Sequence, residues 1–401
     1  MIELSKKIEE ARRRSELNYF LYLNEKAAEE VELLQRAGRC GSLCGVALAV
    51  KDNIEVAGMP ITNGAPYMRR IADKMAAVVR RLMAEGAVVI GKTNMHELAL
   101  GATNVNPHFG PTKNPHDPTR ITGGSSGGSA GAVAIGVADL GVGTDTGGSV
   151  RIPAALCGVV GYKPPYGKIP VDGVYPLAQS LDHVGFMARS VRGLVRILSA
   201  VGWAPQTLPT IKRFRFAVLM GVAEPTRYVE RAFWRAVEAL EGIGGVRDEV
   251  FIEASKFSAA RAAILLSEAA ANYYDYLRSS ISYMGRDVAT LLSAGAALPA
   301  VAYITAKKVK EEATQFFNTL FKTYDVVVSP TTATEAVPID EAANIAARPK
   351  LLAYTELFNL TGHPAISVPA PVSGLPVGLQ IAARDEDVLL AVASAYEEEA
   401  L

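Results

Sequence analysis

Residues Gly123 to Arg151 read GGSSGGSAGAVAIGVADLGVGTDTGGSVR, and the rest of the chain is organised around them. This stretch holds two clusters of glycine and serine, 123–129 and 147–149, on either side of a run of small residues. Glycine lets the backbone approach other atoms closely and adopt positive φ angles. Around a serine, such residues leave room for a substrate and allow backbone amides to face it. We predict that the two clusters meet in space and form one active site.

The rest of the chain alternates between strand and helix patterns. Short apolar runs predict buried strands over 45–50, 86–91, 139–143, 216–220, 326–330, 365–368 and 377–382. Helical spacing predicts helices over 3–35 (one helix or a pair), 71–85, 125–137, 227–241, 254–280, 299–323 and 386–399. Residues 101–122 read as a long loop, which inside a compact domain is usually functional. The alternation predicts an α/β fold, and the absence of a polar linker predicts one domain over 1–401.

The composition argues against several classes of function. The 401 residues include 41 basic and 41 acidic side chains, so the formal net charge is zero. Nucleic-acid binding is therefore not expected. No apolar run reaches membrane-spanning length, and the charged N-terminus is unlike a secretory signal, so no membrane partner and a cytoplasmic location are expected. Cys40, Cys44 and Cys157 do not form a disulfide framework and suit a reducing compartment.

No metal site is expected from the sequence. His96, His108 and His116 read as loop or capping residues, and their spacing matches neither HExxH nor another ligand pattern. Cys40 and Cys44 lack two further ligands nearby, which a zinc site would need.

One lysine stands at the end of the first predicted strand. Lys51 follows the apolar run 45–50 and precedes Asp52 and Asn53. A lysine in such a place usually pairs with a carboxylate, here Asp52, or extends to water. The functional alternative is a desolvated lysine with a lowered pKa that acts as a base. The residues by themselves leave both interpretations open.

The glycine clusters match other motifs only in part. No Gly-Lys-Ser or Gly-Lys-Thr follows them, which excludes a P-loop. Residues 123–127 fit the esterase pattern GxSxG, but a nucleophile elbow follows a strand, and 114–120 read as loop. A structural role, in which serines and glycines cap helices and shape turns, explains either cluster alone. It explains poorly why both clusters and a strand-end lysine occur together.

Longer motifs carry a resemblance to a known family. From about residue 5 to the C-terminus the chain resembles the amidase signature family of serine hydrolases, through GVALAVKDNI (45–54), GAVVIGKTNMHELA (86–99), GGSSGGSA (123–130), GTDTGGSVRIPAALCGVVGYKP (143–164), SLDHVGFMARSV (180–191), DVVVSPT (325–331), NLTGHPAISVP (359–369) and GLPVGLQIAA (374–383). The resemblance implies a central mixed, twisted β-sheet covered by helices on both faces. It also implies a signature core at about 45–200, a mostly helical variable region at about 200–325, and a C-terminal part of the sheet with a closing helix at 325–401.

The same resemblance implies a catalytic set of serine, cis-serine and lysine. Matched by motif, Ser149 is the nucleophile, Ser125 the bridging serine and Lys51 the base, with Ser126 in a supporting role. A serine hydroxyl is a poor nucleophile until a base removes its proton. A neutral lysine can do this, and Ser125 can pass the proton in both directions. This cycle requires no metal and no other cofactor.

The residues around the nucleophile are expected to assist it. The backbone amides of Thr146, Gly147 and Gly148, together with that of the nucleophile, are expected to bind the substrate and form the oxyanion hole. Asp145 and Arg151 flank this loop and are expected to act as local scaffolding.

The family includes free-standing amidases and the A subunit of tRNA-dependent amidotransferases. In the latter, glutamine is held by an arginine in the segment G-x-x-V-x-R-R-I and by an aspartate seven residues before N-L-A-G. Here Thr290 and Leu291 stand at the arginine positions, and Leu352 stands seven residues before Asn359. A glutamine would be held poorly without these charges. We therefore expect an amidase that acts on a small-molecule amide.

The A subunit of an Asp-tRNA/Glu-tRNA amidotransferase, with B and C partner subunits, is the alternative. A homo-oligomer is also open, because the N-terminal helical segment is expected to expose some apolar surface.

Overall fold

The computed structural model describes residues 2–342 and 347–400. The strands are β1 (Phe20–Leu23), β2 (Ala47–Lys51), β3 (Pro60–Ile61), β4 (Arg70–Ile71), β5 (Val88–Thr93), β6 (Val105–Asn106), β7 (Gly110–Pro111), β8 (Leu140–Asp145), β9 (Val160–Lys163), β10 (His183–Ala188), β11 (Phe214–Met220), β12 (Gly245–Phe251), β13 (Val326–Pro330), β14 (Ala365–Pro369) and β15 (Gly378–Ala383). The helices are α1 (Ile2–Arg13), α2 (Ala27–Arg36), α3 (Ala77–Ala84), α4 (Gly127–Ala134), α5 (Arg151–Cys157), α6 (Val191–Ala200), α7 (Arg227–Gly242), α8 (Ser255–Asn272), α9 (Tyr274–Ser280), α10 (Arg286–Ala296), α11 (Ala300–Leu320), α12 (Ile339–Ala342), α13 (Arg348–Leu352), α14 (Glu356–Thr361) and α15 (Glu386–Ala400).

A large central sheet organises these elements. It has eleven strands in the order β1-β5-β2-β8-β10-β9-β14-β15-β13-β11-β12. Strand β2 runs parallel to β5 and β8, and β11 runs parallel to β12 and β13. The neighbouring strands from β8 to β13 pair antiparallel. The predicted α/β fold with a central mixed sheet is therefore confirmed.

Helices cover both faces of the sheet, as the side chains of strand β2 illustrate. All its residues are buried, as expected for a strand covered on two sides. Because side chains alternate along a strand, Leu48 and Val50 pack against α3 and α6, whereas Ala47 and Ala49 pack against α1, α2 and α4. Helices α7 and α15 lie on the first face and α5 on the second.

A group of helices packs beside the end of the sheet that carries Lys51. Helices α8, α10 and α11 form a separate apolar cluster with residues from the loops near that end, including Leu98, Leu100 and Leu177. This group belongs to the region predicted to be mostly helical, which also contains the strands β11 and β12. The proposed internal boundaries stay a prediction.

Several predicted elements are placed differently in the structure. The predicted helix or helix pair over 3–35 is a pair, but the edge strand β1 between the two helices was not predicted; it forms because Phe20 and Tyr22 pair with β5. The predicted helix over 71–85 begins only at Ala77. The one over 254–280 breaks at Tyr273, and Pro299 precedes α11 as its N-cap. Strands β9, β10 and β12 were not predicted, because pairing with neighbouring strands outweighs their weak local signal.

The state of the cysteines also differs from the expectation. Cys40 and Cys44 form a disulfide, so the expectation that the cysteines are all reduced is wrong. The tight turn in which the Cys44 amide donates to the Gly41 carbonyl brings the two Cα atoms to 5.1 Å. Cys157 is a buried free thiol.

No single helix within residues 2–342 and 347–400 is both long and apolar enough to cross a membrane. Helices α10 and α11 pass that test only as a pair, by length and composition, and they meet at a bend of 95°.

Candidate active site

The two glycine-serine clusters lie side by side, as the sequence predicts. The first cluster leads into α4 and the second into α5, and these two helices pack against each other. The backbone amide of Ser126 donates a hydrogen bond to the carbonyl of Ser149 over 3.1 Å. Gly124 also lies close to the loop at Asn104, since a Cβ there would lie 2.8 Å from the backbone nitrogen of that residue. The Gly124–Ser125 peptide bond is cis.

Lys51 is completely buried and contacts hydroxyl groups rather than a carboxylate. Its Nζ donates to Ser125 Oγ over 2.7 Å and to Thr144 Oγ1 over 2.7 Å. Strand β8 runs parallel to β2 and supplies Thr144 near its end, so both side chains meet at one edge of the sheet. Asn53 donates to the same threonine hydroxyl over 3.1 Å.

The neighbouring carboxylate, that of Asp52, pairs with a different lysine. Asp52 Oδ1 lies 3.1 Å from Nζ of Lys92, and both side chains are buried. Pairing of Lys51 with Asp52, the ordinary interpretation, is therefore wrong. Burial lowers the pKa of Lys51 to about 7, although Asp145 and Asp182 oppose the shift. A substantial fraction of Lys51 is consequently neutral near neutral pH.

Ser149 lines a small cleft. It is 6% exposed, and the cleft has a volume of about 20 Å³, room for about one water molecule. The walls combine apolar side chains with two arginines; the lining residues are Ala99, Leu100, Gly101, Thr146, Gly147, Ser149, Leu177, Arg261, Leu265, Arg348 and Leu352.

One of the backbone amides just before Ser149 already has a hydrogen-bond partner inside the protein. Thr146 and Gly147 line the cleft. The Gly148 amide instead donates to Asp145 Oδ1 over 2.9 Å, so it is already engaged inside the protein. Gly148 also has a φ of 129°, which favours glycine.

Asp145 and Arg151 form a buried ion pair beneath this loop. Arg151 Nε and Nη2 donate to the two carboxylate oxygens over 3.1 and 2.8 Å. Burial by itself would raise the pKa of Asp145, but the charge and hydrogen bonds of Arg151 outweigh it and hold the pKa well below its usual range. The carboxylate also accepts the amides of Gly148 and Val150, which fixes the turn around Ser149.

Three residues from the C-terminal part of the chain complete this network. Arg151 donates to the carbonyl of Thr355 over 2.9 Å, to Gln380 Oε1 over 2.7 Å and to Asn359 Oδ1 over 2.7 Å. Asn359 in turn donates to Asp145 over 2.8 Å. Sequence reasoning gave these residues no role. The signal was present in GLQIAA, where a lone glutamine in an apolar strand needs buried partners.

A second cavity adjoins the same loop. It has a volume of about 360 Å³ and shares Thr146 and Leu177 with the cleft at Ser149. Asp182 also lines it and accepts a hydrogen bond from Thr146 Oγ1 over 2.6 Å. Burial raises the pKa of Asp182 to about 6, against the effect of this bond and of two backbone amides. Asp182 is a further site residue that sequence reasoning missed.

Each histidine that was predicted to be a loop or capping residue has a polar partner. His96 Nε2 lies 3.2 Å from Asp287, His108 Nε2 lies 2.8 Å from Glu97, and His116 Nε2 donates to a backbone carbonyl. Within the described ranges, no group of three or more His, Cys, Asp or Glu side chains is placed to hold a metal ion.

The family model described as Amidase matches residues 3–389. The chain belongs to the amidase family. This amidase is 32% identical to the A subunit of the glutamyl-tRNA(Gln) amidotransferase of Methanosarcina mazei, over 99% of this chain and 93% of the relative.

Solved structures agree with this assignment. A crystal structure of an amidase has a TM-score of 0.92 and 33% identity, covering 100% of this chain and 96% of that one. A 6-aminohexanoate cyclic dimer hydrolase complexed with substrate has a TM-score of 0.86 and 27% identity, covering 99% and 93%. The family and these neighbours show that the chain is an enzyme that cleaves amide C–N bonds.

The buried ion pair yields a prediction about stability. Arg151→Met leaves the Asp145 carboxylate buried without its cation, so we expect the free energy of unfolding to fall by about 3–5 kcal/mol. The matched control is Lys256→Met, which removes a lysine from an exposed pair with Glu312 and should cost less than about 1 kcal/mol. Denaturant titration followed by circular dichroism measures both. Equal losses in the two variants would contradict this account of the network.

Proposed function

We propose that this amidase hydrolyses a carboxylic amide through an acyl-enzyme on Ser149, with Ser125 and Lys51 as the proton relay. The observation that carries the proposal is the contact of Lys51 Nζ with Ser125 Oγ at 2.7 Å. The neighbouring carboxylate of Asp52 pairs with Lys92 instead of Lys51. A lysine held by hydroxyl groups and shielded from water can be neutral at physiological pH and accept a proton.

The relay explains both halves of the reaction. Ser125 accepts the proton of Ser149 while it passes its own to Lys51, and the Ser149 oxygen attacks the carbonyl carbon. When the tetrahedral intermediate collapses, the relay runs backward and protonates the departing amine. A water molecule then gives a proton to the same relay and attacks the ester carbonyl. The acid is released as Ser149 regains its proton.

The negative charge that develops on the carbonyl oxygen has to be stabilised by hydrogen-bond donors that are free to bind it. The amides of Thr146, Gly147 and Ser149 suit this role, because Thr146, Gly147 and Ser149 line the cleft. Gly148 would first have to give up its bond to Asp145. Loss of one donor in such a site costs about 2.7–4 kcal/mol of transition-state stabilisation.

A serine-directed fluorophosphonate tests the nucleophile and the base without knowledge of the substrate. We expect the probe to attach at Ser149, found by peptide mass spectrometry, and to be lost in Ser149→Ala. Lys51→Met keeps the length of the side chain but removes the base, so it should also abolish labelling. Ser129→Ala is the control, since Ser129 is a buried serine on α4 that contacts Thr93 rather than Lys51.

Labelling of folded Lys51→Met at the rate of the unsubstituted enzyme would refute the relay. Labelling at a serine other than Ser149 would refute the assignment of the nucleophile.

The alternative function is that of the glutaminase in an amidotransferase, which delivers ammonia to B and C partner subunits. The identity to the Methanosarcina mazei protein over nearly the whole chain favours it. Two observations argue against it. Leu352 lines the cleft where the family's aspartate would be, and Thr290 is exposed on α10, where it donates to the Arg286 carbonyl. A free-standing amidase is therefore our preferred proposal.

Glutaminase activity separates the two functions. For a free-standing amidase we expect little hydrolysis of glutamine and no response when amidotransferase B and C subunits are added, because nothing in the described cleft replaces the missing aspartate. Ammonia release from glutamine, with and without the partner subunits, is the measurement. A large rise on addition of the partners would favour the amidotransferase function and count against the free-standing enzyme.

A further inference from the structure

We propose that the acyl part of the substrate carries a carboxylate, and that Arg261 and Arg348 bind it. This inference rests on the proposed role of Ser149. It names a class of substrate, the monoamides of short dicarboxylic acids, and two residues that determine specificity for that class.

The two arginines belong to the cleft that contains the proposed nucleophile. Both line the cleft that contains Ser149, together with Thr146 and Gly147. A Cβ placed on Gly147 would lie 3.7 Å from an Nη1 atom of Arg261 and 3.2 Å from Cδ2 of Leu352. The guanidinium of Arg261 therefore stands next to the loop that would hold the substrate carbonyl.

Each arginine has a buried nitrogen that lacks an acceptor. Among the described residues, neither Nε of Arg261 nor Nη1 of Arg348 has a hydrogen-bond partner, although both atoms are shielded from water. Buried N–H groups of native proteins are nearly always paired. A ligand acceptor that reaches both side chains would satisfy them, and a carboxylate offers the planar pair of oxygens that guanidinium groups bind best.

The protein's own carboxylates near these arginines are already engaged. Glu356 pairs with Nη2 of Arg261, which leaves Nε of that arginine without an acceptor. Asp287 lies 3.2 Å from His96 Nε2, and it attracts Arg348 without forming a hydrogen bond to it. Neither Glu356 nor Asp287 lines the cleft. A substrate anion would thus meet donors rather than competing acceptors.

The remaining walls limit the size and charge of the acyl group. The cleft volume of about 20 Å³ is smaller than any acyl group, so a substrate has to displace wall side chains, and a short chain between the two carbonyl carbons requires the least displacement. Leu100, Leu177, Leu265 and Leu352 supply apolar walls suited to methylene groups. An ammonium group beside the carboxylate, as in glutamine, would face Leu352 without a counter-ion, so amino-acid amides should be poor substrates.

Protection of Ser149 from the fluorophosphonate tests the carboxylate site directly. Glutarate should slow labelling at concentrations where pentanoate, which has a methyl group in place of one carboxylate, has no effect. Arg261→Gln/Glu356→Gln removes the arginine without leaving Glu356 unpaired, and it should weaken protection by glutarate about tenfold or more, the factor expected for one charge-assisted hydrogen bond. Arg348→Gln should have a similar effect. Arg278→Gln, at an exposed arginine on α9, is the control and should leave protection unchanged.

Hydrolysis of matched amides extends the test. The kcat/KM for glutaramate, the monoamide of glutaric acid, should exceed that for pentanamide and that for glutamine by about tenfold or more. The double variant should lose this preference, so that its kcat/KM for glutaramate falls to that for pentanamide.

Failure of this inference differs from failure of the proposed function. Labelling at Ser149 that malonate, succinate and glutarate do not slow would overturn the carboxylate site and leave the acyl-enzyme intact. Equal kcat/KM for glutaramate and pentanamide would overturn it as well. Absence of labelling at Ser149 would overturn the proposed function, and the inference with it.

Discussion

A buried lysine without a carboxylate partner is the constraint on which the rest of this structure depends. Removing an ammonium group from water is costly, and the protein offers Lys51 only hydroxyl groups, a backbone carbonyl and distant charges in return. The position is set by neighbouring segments: β2 ends with Lys51, the parallel strand β8 supplies Thr144, and the loop before α4 supplies Ser125. Lys92, at the end of β5, takes the adjacent carboxylate of Asp52. Two lysines one strand apart thus have opposite surroundings, one paired and one not.

The second requirement is a rigid turn at Ser149. The Asp145 carboxylate accepts three backbone amides of the turn as well as Arg151. Arg151 extends the network to Asn359 and Gln380, which belong to the last quarter of the chain. The proposed nucleophile therefore lies where the turn after β8 is joined to α14 and β15 by buried hydrogen bonds. Such a network stabilises one conformation only when all its members are present, since a partial network leaves charge buried.

The sequence allowed the centre of the molecule to be predicted, because local patterns are strong there. The apolar run before Lys51, the two glycine-serine clusters and the family motifs place the main residues of the candidate site. What escaped prediction depends on contacts distant in sequence. The edge strand β1 looks helical by its spacing and exists only because β5 pairs with it. The engagement of the Gly148 amide by Asp145 is a matter of local geometry that residue types do not encode.

Other misses have the same origin. Asp182 and Gln380 lay within recognised motifs, but their partners come from other segments, so their roles were not visible. Arg261 lies in the region where the resemblance gave least guidance, and only the packing of α8 beside Gly147 brings it to the cleft. The disulfide between Cys40 and Cys44 reflects a tight turn rather than a framework of cysteines.

The most direct test of the central claim is the pH dependence of fluorophosphonate labelling at Ser149. Because the pKa of Lys51 lies near 7 and the neutral form is the base, the labelling rate should rise about tenfold per pH unit below about pH 7 and level off above it. In Asp182→Asn the rise should remain, because Lys51 still titrates, but its midpoint should move to lower pH, since the Asp182 carboxylate raises the pKa of Lys51. A rate that is flat from about pH 5 to 9, or that keeps rising to about pH 10 as for an ordinary lysine, would contradict the account.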